Sequence, residues 1–286
     1  SNPEGYPFSG VKGLGHENDW GVLPIADKDL DDVRSADYSI RFLNKKQSQP
    51  FFLACGFFRP HLPWYVPERF FDLYPLDQVV VPVNPDHDLD DVPTAGKALA
   101  KVRWGDLKAI QQAGAKRRAV QAYLASISFA DAQLGRVLNA LDASSYQHNT
   151  IVVLWSDHGW HLGEKQHWHK STLWEESTRV PLIICVPGGR PGECKQPASL
   201  IDLYPTLTEL CGVVTTRKLD GVSLVAQLNN PQVKRKPVVV EFRKGNAAVR
   251  SEHWRFIRYA DGSEELYDHR QDPKEWVNLQ GVAGYQ

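Results

Sequence analysis

Three continuous apolar runs, set apart by amphipathic stretches, limit what this chain can fold into. FFLACGF (51–57), TIVVLW (150–155) and VPLIICV (180–186) are short and apolar throughout, and read as buried strands. The strongest helical pattern lies between the first two, from Ala115 to Leu141. There Val120, Leu124, Ile127, Leu134, Val137, Leu138 and Leu141 recur at steps of three and four, while Arg117, Arg118 and Arg136 take the other face. Asp29 to Asn44 carries a second such pattern, acidic at its start and followed by Lys45-Lys46, as the helix dipole prefers. A third runs from Ser199 to Cys211, with Pro205 near its first turn. Helix–strand alternation through residue 212 predicts an α/β fold whose mainly parallel sheet is sandwiched by helices.

The texture changes after Pro231. KPVVVEF, AAVRSEHWRFIRYA and EELYDH read as strands, and Asp261-Gly262 is a hairpin signal. A small C-terminal antiparallel α+β domain is therefore expected at 231–286, after an α/β core at 1–230. Lys plus Arg number 33 against 34 Asp plus Glu, a balance that argues against nucleic acid as a partner. No stretch approaches the roughly 20 apolar residues of a membrane span, and no signal peptide is visible. Cys55 and Cys185 fall in apolar runs and read as core thiols, while pairing of Cys194 with Cys211 stays open. The acidic run Asp86 to Asp91, in a proline-rich excursion, and Glu175-Glu176 read as solvated faces.

Chemistry concentrates where TIVVLW ends. Asp157, His158 and Gly159 set a carboxylate and an imidazole side by side at the carboxyl end of a strand, where open α/β sheets gather ligands. The alternative is a helix-capping aspartate and a plain loop histidine. Trp160, His161, Glu164, Lys165, His167, Trp168, His169 and Lys170 follow closely, and two tryptophans in so polar a run suit a pocket for a polar, ring-shaped ligand. FFLACGF likewise runs into a proline-braced turn, Arg59-Pro60-His61-Leu62-Pro63-Trp64. Arg250, Arg255 and Arg258 alternate as on a half-exposed strand, with contact to an anionic substrate as the alternative.

These residues carry a resemblance. SDHGWHLGE followed by Lys170 and TRVPLI resembles the sulfatase branch of the alkaline-phosphatase superfamily. PFFLACGFFRPHLPW is similar to that family's upstream strand and Pro-His-x-Pro turn, QAYLASISFADAQLGRVLNAL to its long helix, and ELYDHRQDPKEWVNL to its C-terminal signature. The four blocks keep the family's order from about residue 25 onward, and most resemble the iduronate-2-sulfatase type and its bacterial relatives. The resemblance implies a hydrolase that removes sulfate from a sulfated sugar or glycosaminoglycan-like polysaccharide, in a protein that is exported or lysosomal. It also implies a divalent cation, usually calcium, beside a formylglycine made from a cysteine. By position, Asp157 and His158 resemble metal ligands, and His61 and Lys170 resemble the catalytic residues that contact the sulfate and the bridging oxygen. Trp160, His161 and His167 would lie around the sugar ring by adjacency.

Two departures accompany the resemblance. None of the four cysteines has the family's Cys-x-Pro-Ser-Arg context, and nothing before residue 25 matches its first aspartate pair. The chain thus resembles the C-terminal two-thirds of a sulfatase, its nucleophile supplied by a segment outside it, and residues 1–286 alone are expected to show no turnover. Calcium prefers oxygen to histidine nitrogen, and an Asp-His pair suits zinc or manganese as well. A two-metal phosphoesterase of the same superfamily therefore stays open, as does a catalytically inactive domain that binds sulfated glycans.

Overall fold

The computed structural model describes residues 6–102 and 104–285. In chain order its first half holds β1 (Trp20–Val22), α1 (Asp31–Leu43), β2 (Trp64–Val66), α2 (Glu68–Phe71), α3 (Thr94–Ala100), α4 (Trp104–Gln112) and α5 (Lys116–Asp142). There follow β3 (Val152–Trp155), β4 (His161–Leu162), β5 (Trp168–His169), α6 (Glu175–Thr178), β6 (Leu182–Cys185), α7 (Leu203–Leu210) and α8 (Val225–Asn229). The last strands are β7 (Val238–Glu241), β8 (Ala247–Arg250), β9 (Trp254–Arg258) and β10 (Glu264–Asp268). The chain divides into two compact units, Ser1–Pro82 with Arg103–Thr150, and Val83–Val102 with Ile151–Gln286. Among the described residues no helix is long and apolar enough to cross a membrane.

In the first unit α5 and α1 form where the periodicity places them. The stripe that α5 buries is narrower than expected and made largely of small residues, Ala119, Ala122, Ala125 and Ser126, with Phe129 and Gln133 beyond. Ile127, counted on the apolar face, is exposed. Small side chains let neighbouring elements approach closely, so Val33, Val66 and Phe70 pack directly onto Ala125 and Phe129. Phe70 meets Phe129 edge-on, with ring centroids 5.4 Å apart. Residues 51–57 do not form the expected strand: they have no ladder partner among the described residues, and their exposure alternates, with Phe52 81% exposed.

The expectation of a mainly parallel sheet is overturned. Among the described residues there are four sheets, of which only β1 with β2 is parallel, with Trp20 opposite Trp64 and Val22 opposite Val66. In the second unit β3 and β6 pair antiparallel, Trp155 opposite Leu182 and Val152 opposite Cys185. The reason lies in the connection. A parallel partner needs a crossover, usually a full helix, whereas the segment from 156 to 181 contains only the β4–β5 hairpin and short helical turns. Cys185, expected in the core, is exposed, and all four cysteines are free, Cys194 and Cys211 included.

Strands β7 to β10 make an antiparallel meander in the order β10-β9-β8-β7, with the β9–β10 hairpin turning at Asp261-Gly262 as the sequence indicated. Ala248, Ile257, Tyr259 and Tyr267 from this sheet pack with Leu173 and Trp174 from the loop after β5, and with Leu89, Val92 and Leu99 from the 83–102 segment. Of the acidic run, Asp86, Asp90 and Asp91 are exposed as expected, but this core draws one member inward. Asp88 is buried, not solvated, and its carboxylate accepts from Lys165 Nζ at 2.8 Å and Lys165 N at 2.8 Å.

Candidate functional site

No helix follows Asp157-His158-Gly159, so Asp157 is not a helix cap. The chain instead turns tightly, with Ser156 Oγ donating to the His158 carbonyl at 3.1 Å. Gly159 is required by close approach: a Cβ there would lie 2.0 Å from the Glu176 carbonyl oxygen and 2.9 Å from that of Arg179. Its N–H donates to Ser177 O at 2.8 Å, which seats the turn on α6.

The β4–β5 hairpin then folds the chain back, pairing His161 with His169, and so brings Lys170 to His158. His158 Nδ1 lies 2.8 Å from the Gly159 carbonyl oxygen. An oxygen without hydrogens accepts, so Nδ1 carries the proton and Nε2 offers its lone pair. Lys170 Nζ sits 2.7 Å from that Nε2, and Asp157 Oδ2 lies 3.7 Å from it. Asp157 is 82% exposed. A carboxylate, an imidazole nitrogen and an ammonium thus converge at the open end of β3.

The backbone around Lys170 is strained. Lys165 (φ 53°), Gln166 (φ 47°), His169 (φ 102°) and Ser171 (φ 77°) all take left-handed conformations without being glycine. Each such residue costs on the order of 1–3 kcal/mol and persists only where its surroundings over-determine it.

Those surroundings include the three residues expected around a sugar ring. His161 and His167 are 0% and 1% exposed, and Trp160 is buried as well, its ring 6.3 Å from that of His158 and 5.0 Å from that of His169. His161 Nδ1 donates to Glu164 O at 3.1 Å, and its Nε2 lies 2.9 Å from Thr172 Oγ1. Burial, then the neighbouring His167, hold the His161 imidazole well below the usual histidine range. In this structure both rings support the loop from inside.

His61 lies in the other unit. Its N–H donates to Phe58 O at 2.9 Å and its Nδ1 contacts Leu62 O at 2.7 Å, while its ring packs 4.9 Å from that of Phe58. The buried Asp32 carboxylate fixes the turn, accepting from Phe58 N at 2.6 Å and Arg59 N at 3.0 Å. Trp64 Nε1 donates to Pro60 O at 2.8 Å.

A charged cluster that the sequence did not reveal braces α6. Arg255, expected on a half-exposed strand, is 1% exposed. Its guanidinium donates to Glu275 Oε1 at 2.6 Å, Leu173 O at 2.8 Å, Thr178 Oγ1 at 3.0 Å and the Glu175 carboxylate. Glu275 also accepts from Glu175 N at 2.9 Å and contacts His269 Nε2 at 2.8 Å. Burial pushes the Glu175 carboxyl up, but Arg255 and Arg250 outweigh it and bring it down to about 2. Glu175 is therefore an interior anion, not a solvated one. Glu175, His269 and Glu275 present ligand-type atoms within 4.8 Å of one another. Arg255 and Arg250 already neutralise them, so the cluster works as an ion-pair brace. Glu175 lies 75 to 100 residues from Arg250, Arg255 and Glu275, so no local pattern announces the cluster.

A sulfatase family model matches residues 3–213, and one for the C-terminal part of N-sulphoglucosamine sulphohydrolase matches residues 163–286. The chain belongs to the sulfatase family. This sulfatase chain is 41% identical over 268 residues to a sulfatase of Formosa agariphila, covering 91% of this chain and 52% of that protein. Iduronate 2-sulfatase of Mus musculus is 37% identical over 183 residues, covering 58% of this chain and 32% of its own length. Phosphonate monoester hydrolase of Agrobacterium radiobacter matches as a solved structure with a TM-score of 0.73 and 26% identity, covering 92% of this chain and 59% of the other. The sulfatase chain thus spans about half the length of the first of these relatives.

Proposed function

We propose that the protein hydrolyses sulfate esters of sugars, with Lys170, Asp157 and His158 acting at the end of β3 and His61, in the Pro-His-Leu-Pro turn, as a second catalytic residue. The observation that carries this reading is the 2.7 Å approach of Lys170 Nζ to His158 Nε2 beside Asp157, in a segment that the sulfatase family model covers. A sulfate ester is a stable anion. Its cleavage needs positive charge on the sulfuryl oxygens and a proton for the departing alkoxide. Lys170 supplies ammonium donors for the oxygens. With its Nδ1–H held by Leu62 O, His61 presents Nε2 as the nitrogen that exchanges a proton with the bridging oxygen. Sulfated sugars are favoured as substrates by the similarity to iduronate 2-sulfatase, and export fits such substrates.

The donor set also fits a cation in part. Asp157 Oδ2 and His158 Nε2 are two ligand atoms with the right protonation, the Nδ1–H of His158 being held by a backbone carbonyl as in many metal sites. Two donors are too few for calcium, which takes six to eight oxygens, so the pair would be part of a larger set. Such an ion would add Lewis-acid charge at the sulfate. None of Cys55, Cys185, Cys194 and Cys211 has the context of a formylglycine precursor, so we place that nucleophile in a segment outside residues 1–286.

The complete protein tests the proposal. Lys170→Ala is expected to lower turnover of a sulfated sugar by a transition-state loss of about 2–4 kcal/mol, with the exposed Lys46→Ala as the unaffected control. Equal losses in both would remove Lys170 from the site. The similarity to phosphonate monoester hydrolase favours a second reading, a metal-dependent phosphoesterase. Release of phosphate or phosphonate faster than sulfate from matched esters, with two zinc ions per chain, would establish it instead.

A further inference from the structure

We propose that His167 is a proton-gated positioning residue: as an imidazolium it ties the Lys170 carbonyl to the C-terminal carbonyl of α3, and as a neutral ring it holds only one of them. The inference rests on the reading of Lys170 as the group that grips sulfate. Its geometry is simple. His167 Nδ1 lies 2.9 Å from Ala100 O and Nε2 lies 2.8 Å from Lys170 O. Both partners are carbonyl oxygens, which only accept, so each contact needs an N–H. A neutral imidazole has one N–H and one lone pair, and the lone pair would face an oxygen at under 3 Å. The observed arrangement therefore belongs to the doubly protonated ring.

His161, with its ring centroid 5.1 Å away, supplies the contrast. One of its nitrogens faces a carbonyl, but the other faces the Thr172 hydroxyl, which both donates and accepts. That ring is satisfied when neutral. His167 is not.

The titratable groups bearing on His167 are His161 on β4, His169 on β5, and Glu164 and Lys170 through their backbone; α3 presents the Ala100 carbonyl. Burial holds the His167 imidazole below the ordinary histidine value, the two carbonyls oppose this, and His169 adds to the lowering. The doubly donating ring is thus the acid form, and raising the pH releases one carbonyl. If that is Lys170 O, the strained peptide between His169 and Ser171 loses a constraint it needs. Nζ then drifts from His158 Nε2, and a misplacement of about 1 Å can cost up to about 100-fold in rate.

Two measurements on the complete protein test this. In ring-15N-histidine NMR, His167 is expected to pass from two N–H groups to one as the pH rises, with the Lys170 or Ala100 carbonyl carbon shifting in step. A His167 that carries one N–H at every pH at which the protein is folded would overturn the proposal. In kinetics, His167→Gln supplies two N–H bonds that do not titrate, so an alkaline fall in kcat/KM should be lost in H167Q and kept in H161Q. An H167Q profile matching wild type, although His167 titrates, would also overturn it. Should Lys170→Ala leave turnover intact while the NMR titration is seen, the reading of Lys170 fails and the proton-dependent bracket stands.

Discussion

The turn at 58–64 and the loop at 156–178 answer to the same sequence signal, polar residues at the end of an apolar run, yet they are held in place differently. In the turn the partners are close in sequence. His61 is tied to Phe58 and Leu62, Trp64 to Pro60, and Arg59 to the Tyr65 carbonyl, with Asp32 and the Asp19 carbonyl, which accepts from Trp64 N at 3.0 Å, as more distant anchors. In the loop they are remote. His167 reaches Ala100, Lys165 reaches Asp88, and Trp174 donates to the buried Glu265 at 2.8 Å, across 67 to 91 residues. Glu265 also accepts from Tyr259 and Tyr267, both at 2.5 Å. A locally tied turn places its histidine with little help. The strained Lys170 loop depends on the packing of the whole second unit, where buried charges supply the constraint.

The sharpest way to break that contrast is Arg255→Ala. It strands the buried carboxylates of Glu175 and Glu275, and removing one partner of a buried pair costs about 3–5 kcal/mol, read by urea unfolding. Amide exchange should quicken at 170–178 and stay unchanged at 58–64. Equal quickening in both segments would show that the loop is no more dependent on distant partners than the turn.

Glu175 sharpens the contrast through pH. Its folded value, about 2, lies below the ordinary 4.5, so its contribution is present above pH 4.5 and lost as the pH falls toward 2. That amounts to on the order of 3 kcal/mol at most. Unfolding free energies from pH 7 to 2 should show this decline in the wild type, and a shallower one in Glu175→Gln. A decline of equal depth would assign it to other carboxylates.

Smaller still is the expected effect of Asp32→Asn, which keeps one of two acceptors for the Phe58 and Arg59 amides and should cost about 1–2 kcal/mol. A loss matching that of R255A would mean the turn too relies on a long-range anchor. Lys46→Ala is expected to stay within about 0.5 kcal/mol.

Much of the scaffold could be read from sequence, because it is set by neighbours three, four or two residues away. The periodicities behind α1 and α5, the apolar run that becomes β3 and the Asp-Gly hairpin between β9 and β10 all report local geometry. The Asp157-His158 pair stood out for the same reason. Asp88 and Glu175 read as solvated and Arg255 as half-exposed, since nothing within a helical turn of each reveals its counter-ion.

Sequence alone therefore determined where α1, α5, α7, β3, β6 and the C-terminal strands lie, though not the fate of residues 51–57, since hydrophobic period and residue type act over a few positions. Tertiary structure decided that β3 pairs antiparallel with β6, that His161 and His167 face inward, and that Lys170 meets His158. Strand direction depends on what connects two segments. The placement of a buried charge depends on an opposite charge brought near by the fold.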